Sequence, residues 1–247
     1  YIIDGATMPH ILVKESEFVY VFKEATWDNK IVGDTITDPE PSFIGGKIND
    51  LFFFKSRLGL LSGENVVMSE LNDPFNMWRT TVTQVLDTDR IDVGSSVNQI
   101  TILNYAVPFA NQMVIFSDNT QFIINYGQQG LTPQSAALAQ ISSYECSTSV
   151  RPIAIDTNII FAQNRAASTA IYEMFPTGTT ELSFEAQDIT EQVPSYISGK
   201  AIRLAGSSLA GAILVQTDSS ANSFYCYKFF NRGRERILSS WFKYTFP

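Results

Sequence analysis

Residues 41–69 read PSFIGGKINDLFFFKSRLGLLSGENVVMS, three short apolar runs separated by polar breaks. The runs lie at 48–54, 58–61 and 66–68, and the breaks are Lys55-Ser56 and Gly63-Glu64-Asn65. Runs of about four to seven residues are too short for ordinary helices, and breaks made of turn-forming residues close hairpins. The pattern predicts one antiparallel meander with strands at 48–54, 58–62 and 66–69. Weaker echoes follow at 113–117 with 120–126, at 158–162 with 169–175, and at 211–216 with 223–230, each an apolar strand, a polar turn and an aromatic-rich strand. Their spacing is uneven, so they form no repeat of fixed period. Recurring meanders predict an all-β fold, a β-propeller-like array of antiparallel meander blades, because radial repetition shields the edges of short sheets. At roughly 40 to 50 residues per blade the chain holds about four to five blades.

Helix signals are few. Asp188-Ile189-Thr190-Glu191 has the form of a capping box with Pro194 as its stop, and Asp73-Pro74 suits a single turn over 73–78. Both are expected to be short helical turns connecting sheets. Near the start, Phe18, Tyr20 and Phe22 alternate with Val19 and Val21, a strand with two apolar faces. Asp38-Pro39-Glu40-Pro41 stiffens the chain and is expected to mark a boundary. The domain reading is an N-terminal strand region and linker at 1–40 and a β-propeller core at 41–247. The chain opens at Tyr1 and ends straight out of a strand-like segment, which leads to the expectation that it is part of a longer polypeptide.

Composition narrows the function. Apolar residues make up 45% of the 247 positions and aromatics 13%, enough for a packed core. The net charge of −8 argues against a dedicated binder of the nucleic-acid backbone, which gathers cations to displace counterions. No apolar run approaches the roughly 20 residues of a membrane-spanning helix. Cys146 and Cys226 are too few for a disulfide framework or a zinc site and read as buried, inert thiols.

The residues of catalytic chemistry do not assemble. His10 is the sole histidine, so a triad would have to be built on this one residue, which follows a proline near the start and reads as an ordinary packed or exposed side chain, and a multi-histidine metal site lacks its ligands. Glu64, Glu70, Asp73, Asp118, Asp156 and Asp218 stand near strand ends, where a glycosidase would need a pair of carboxylates, but acids there also suit turns. Residues 87–92, DTDRID, lack the glycine and terminal glutamate of a calcium loop, and Gly45-Gly46-Lys47 lacks the spacing of a phosphate loop. Arg232-Gly233-Arg234-Glu235-Arg236 is the densest basic cluster and reads as a hairpin tip between two aromatic-rich strands. It suits either plain solvation or contact with a neighbouring subunit or a phosphate backbone.

Several short pieces, taken in order, resemble the tail nozzle proteins (tail tubular protein B) of short-tailed, autographivirus-type bacteriophages. They are Pro41-Ser42-Phe43-Ile44-Gly45, Arg57-Leu58-Gly59, Ser62-Gly63-Glu64-Asn65-Val66 with Met68-Ser69, Asp92-Val93, Tyr105-Ala106-Val107-Pro108-Phe109, Arg151-Pro152, Asp188-Ile189-Thr190 with Val193-Pro194, and Tyr225-Cys226-Tyr227-Lys228-Phe229 leading to Trp241. The order holds from about residue 30 to the end.

The resemblance implies a virion tail component, a homohexameric ring below the tail adaptor (tail tubular protein A) ring, contacts with tail fibres, and a channel through which viral DNA is ejected. It implies no catalytic residues and no cofactor. A blade in such a protein wants central strands as apolar as residues 51–54. Passage of DNA without sticking favours a lumen of acidic and neutral groups, which makes Asp118, Asn119 and Asp218 candidates for the channel side and Arg232, Arg234 and Arg236 candidates for subunit contact. The alternatives are a carbohydrate-binding or carbohydrate-active propeller module and a cellular propeller scaffold for peptides.

Overall fold

In the computed structural model, which describes residues 2–128, 130–177, 183–232 and 235–246 with the backbone alone at 231 and 235, every meander read from the sequence is present. Each belongs to a four-stranded antiparallel sheet whose strands lie in chain order. A separate hairpin pairs β1 (Ile11–Lys14) with β2 (Tyr20–Lys23). The first sheet holds β3 (Ile48–Phe54), β4 (Arg57–Ser62), β5 (Asn65–Met68) and β6 (Ile91–Gly94). The second holds β7 (Leu103–Phe109), β8 (Gln112–Ser117), β9 (Gln121–Asn125) and β10 (Ala137–Ser142). The third holds β11 (Ile153–Ile155), β12 (Asn158–Arg165), β13 (Ser168–Pro176) and β14 (Phe184–Asp188), and the fourth β15 (Ala201–Ser207), β16 (Ala212–Thr217), β17 (Ser223–Arg232) and β18 (Glu235–Thr245).

Two expectations need correction. The segments at 188–194 and 73–78 are hydrogen-bonded turns without helix, and the one helical turn among the described residues is Gly5–Thr7, with the Asp4 carboxylate accepting from Ala6 N. At 188 the side chain closes on its own neighbour: Asp188 Oδ1 accepts from Thr190 N at 2.7 Å and from the Thr190 hydroxyl at 2.5 Å. An aspartate that satisfies the backbone two residues on favours a turn over a helix. The second correction concerns residues 51–54. They lie on β3, the outer strand of its sheet, where Leu51 and Phe53 are exposed and Phe52 is buried. The strands buried on both faces are β4 and β5. Phe52 covers the backbone of its register partner Gly59, where an added Cβ would lie 2.2 Å from the ring, so glycine at 59 is a requirement of that contact.

The chain divides into two compact units, one formed by the chain up to Ile100 with Asn125–Leu138, the other by Thr101–Ile124 with the chain from Ala139 onward. The first unit has a core of Ile3, Met8, Trp27, Phe43, Leu60, Val67, Met77 and Trp78. Its long connection from β5 to β6 runs through 69–90 and is held from within by Arg57. That wholly buried guanidinium donates through Nη1 to the carbonyls of Ser69 at 2.7 Å, Thr88 at 3.1 Å and Asp89 at 2.7 Å, and through Nη2 to that of Asp87 at 2.7 Å. Burial lowers its pKa while Glu70 and Asp89 hold the charge in place. Nearby, Arg90 pairs with the buried carboxylate of Asp38 at 3.2 Å and donates to the carbonyl of Pro39 at 2.6 Å. The stretch from Asp38 to Pro41 is thus anchored in this unit's core by a charge pair.

In the second unit, sheets two, three and four pack face against face in chain order. Ile159 and Phe161 of β12 face the second sheet, in a cluster with Val114, Phe116 and Ile123. Ile160 and Ala162, one position on, face the fourth sheet in a cluster with Ile213, Val215, Tyr225 and Tyr227. Successive strand residues point to opposite faces, so an unbroken apolar run is buried only when both faces are covered.

Replacing Arg57 by methionine is expected to lower stability by about 4 kcal/mol, because four carbonyls, those of Ser69 and Asp89 buried, lose a shared charged donor. Urea unfolding of the variant reads this as a clear fall in midpoint. An unchanged midpoint would show that the connection from β5 to β6 holds without the guanidinium.

Candidate functional site

The basic cluster is a hairpin tip, as its composition predicts. β17 and β18 pair down to Arg232 opposite Glu235, with a register shift between Phe230 and Asn231, and Gly233 and Arg234 lie outside the described residues. The two described arginines behave differently. Arg232 is exposed. Arg236 turns back onto the face of the third sheet and makes a bidentate ion pair with Glu173, its Nη1 donating to Oε2 and its Nη2 to Oε1 at 2.8 Å. Its guanidinium carbon also lies 5.2 Å from the Phe229 ring centre and 6.0 Å from that of Tyr227. Hydrogen bonding to Glu173 raises the Arg236 pKa against the effect of burial, so the guanidinium keeps its charge.

Glu173 explains the pair. β13 reads STAIYEMFP, and its alternation sends Tyr172 to the second sheet and Glu173 toward the fourth. A carboxylate there, 7% exposed, needs a cation and hydrogen bonds, which Arg236 and the Asn158 amide at 2.6 Å supply. The signal was legible in the sequence as one charge inside an apolar strand, although nothing local says which cation answers it.

The acidic candidates sit on turns. Asp118 is exposed, with its carbonyl accepting from Cys146 N at 2.7 Å, and Asn119 Oδ1 accepts from the Thr120 hydroxyl at 3.0 Å. The Ser117 hydroxyl accepts from Thr120 N at 2.9 Å and donates to its carbonyl at 2.8 Å, so the turn is built by its own side chains. Asp218 is exposed, and its Oδ1 accepts from Lys200 N at 2.8 Å, joining the β16–β17 turn to the start of β15. The glycine before Lys200 has φ +83°, and a Cβ there would lie 2.5 Å from that carboxylate oxygen.

The other reactive residues are engaged in local contacts. His10 stacks on Phe22 at 5.2 Å, and its Nδ1 lies 3.0 Å from the Met8 carbonyl. Glu70 accepts from the Asn76 amide at 2.6 Å, and Asp73 accepts from Phe75 N at 3.2 Å. Among the described residues no three histidine, cysteine, aspartate or glutamate side chains gather as metal ligands. Cys146 and Cys226 are both buried and free, and burial pushes the Cys146 thiol up to about 12.

Arg236, Glu173 and Trp241 line a polar cleft of about 780 Å³ between the third and fourth sheets. The sequence did not single out this cleft, because its walls come from segments that meet only when the two sheets pack.

Comparison with known proteins places the chain. The family model described as "Bacteriophage nozzle protein" matches residues 1–247. The "Tail tubular protein gp12" of Escherichia phage T7 is 36% identical over 240 residues, which are 97% of this chain and 30% of that protein. The chain therefore spans under a third of the length of this curated relative. Among solved structures, the Nup170 N-terminal domain in complex with Nup53 from Chaetomium thermophilum aligns with 80% of this chain and 29% of its own, at 10% identity and a TM-score of 0.45.

Arg236→Met should cost about 3 kcal/mol by stranding the Glu173 carboxylate, whereas Arg232→Ala should stay within about 0.5 kcal/mol. Equal effects in urea unfolding would contradict the division of roles at the tip. The thiols give a second expectation. An unfolded Cys146 ionises near the ordinary 9.0 and the folded one near 12, so its contribution to stability is intact below pH 9 and is lost as pH rises toward 12. At pH 8 an aromatic disulfide reagent should label neither cysteine of the native protein within minutes, and both after unfolding. Rapid native labelling of Cys146 would show that its cover opens readily.

Proposed function

The chain belongs to the bacteriophage nozzle protein family, and from that premise we propose that it forms part of the wall of the tail opening through which viral DNA is ejected. The match of the family over the whole chain carries this reading. As a member of that family the chain is a structural component of the phage tail, located in the virion. The ring, its partners and its channel belong to the proposal. A homohexamer stands next to the tail adaptor (tail tubular protein A) ring, tail fibres attach around it, and the genome passes along its axis without base recognition.

The proposal extends to how the sheets are arranged. Four consecutive four-stranded meanders, three of them stacked in chain order within one unit, are the parts of a β-propeller-like array, and radial closure would hide edges that otherwise invite aggregation. Such an assembly needs no catalysis and no cofactor. The turn residues Asp118, Asn119 and Asp218 are assigned to the channel side, where acids and neutral groups keep phosphates from adhering. Arg232 and Arg234 are assigned to the contact with a neighbouring subunit. Arg236, occupied by Glu173, supports that tip from behind.

Imaging of the assembled tail tests the proposal. Six copies of the chain around one channel are expected, with Asp118 and Asp218 closer to the axis than Arg232. Any other copy number overturns the ring size, and Arg232 in the lumen with the acids outside overturns the assignment of faces.

A further inference from the structure

The polar cleft between the third and fourth sheets is not explained by a role in a tail wall. A stacking interface between sheets is normally apolar, and this one is so over Ile160, Ile171, Ile213 and Val215. Toward β14 and β18 it opens into a cavity of about 780 Å³, within the range of about 300 to 1,000 Å³ typical of small-ligand sites. Its base is fixed. Glu173 and Tyr227 are buried, Arg236 holds Glu173 in a two-pronged ion pair, and the Asn158 amide donates to the same carboxylate. Trp241 lies 5.0 Å from the Tyr227 ring, and its Nε1 donates to the Ile189 carbonyl at 2.8 Å, which locks the indole in place. The rim is exposed and uncommitted in character, with the amides of Gln187 and Gln192 and the hydroxyls of Ser239 and Ser240.

The charges decide the class of ligand. Glu173 is neutralised by Arg236, and Asp188 by Arg165 at 2.7 Å. An anion would meet the Glu191 carboxylate while the one arginine of the cleft is already engaged by Glu173. A cation would find its strongest sites neutralised. An apolar molecule would strip water from amides and hydroxyls without replacing their hydrogen bonds. A neutral polyhydroxylated ligand satisfies every part. Each hydroxyl both donates and accepts, as the amide and hydroxyl rim requires, and its C–H faces pack on an indole held in advance.

We propose that this cleft is a binding site for a neutral glycan, with Trp241 as its platform and Gln187 and Gln192 as the groups that read its hydroxyls. In a tail component, such a site would hold a sugar chain of the bacterial surface. It does not depend on the copy number of the ring.

The test applies the full-length protein to an array of bacterial surface oligosaccharides that includes neutral and anionic members, with titration calorimetry on the ones that bind. Binding of neutral members is expected, weakened at least tenfold in Gln187→Ala/Gln192→Ala. The exposed positions of that double variant should leave the thermal unfolding midpoint unchanged. Trp241→Phe, which keeps a ring but loses the anchoring hydrogen bond, should also weaken binding. Binding by anionic members only, absence of binding to any neutral member, or neutral binding that persists unchanged in the double variant would each overturn the proposal.

Discussion

Strand β12 cannot exist alone. Ile159 and Phe161 need one cover and Ile160 and Ala162 need another, so the third sheet is stable only between two neighbours. Ile159, Ile160 and Phe161 each contribute about 1.5 to 3 kcal/mol when removed from water, and that contribution is lost on whichever face stays bare. The sheets of the second unit therefore depend on one another: the second and fourth are the walls that let the third fold. The Glu173–Arg236 pair is a product of the same constraint. A carboxylate placed on a face that must be covered has to bring its cation with it, and the fourth sheet carries that cation on β18.

The first unit meets a different difficulty, since its sheet is interrupted by a connection of more than a few residues between β5 and β6. A loop against a core leaves carbonyls without partners. Arg57 resolves this with one planar donor group that reaches Ser69, Asp87, Thr88 and Asp89 together. Lysine could not replace it on geometric grounds, because an ammonium is a point charge rather than a fork. Charge buried in both units thus serves to tie segments distant in sequence.

Much of the architecture was legible in the sequence because it is local. Apolar runs and turn residues set the strands at 48–54, 57–62 and 65–68 nearly to the residue, and likewise the hairpins at 112–125, 158–176 and 212–232. The resemblance carried the family. Three features were illegible for a common reason. Which strand of a meander is central depends on what covers it, so Phe52 and its neighbours look like core and lie at an edge. Whether Asp188 caps a helix or closes a turn depends on the backbone after it, and β14 leaves it in a turn. The cleft was hidden because Glu173, Gln187 and Trp241 come from strands of two sheets. Periodicity reports the face of one strand and is silent about its partner.

The outer position of β3 bears on how this polypeptide must be handled. Leu51 and Phe53 face solvent along a strand whose far edge has no partner among the described strands, and the run Leu51-Phe52-Phe53-Phe54 is uncharged and strongly β-forming. Asp50 and Lys55 bracket that run as charged gatekeepers. During synthesis, before any neighbour has arrived, these two side chains are the local brake on edge-to-edge association. Neutralising either one removes that brake, and at Lys55 it also removes the ammonium that lies over the Phe54 and Tyr126 rings.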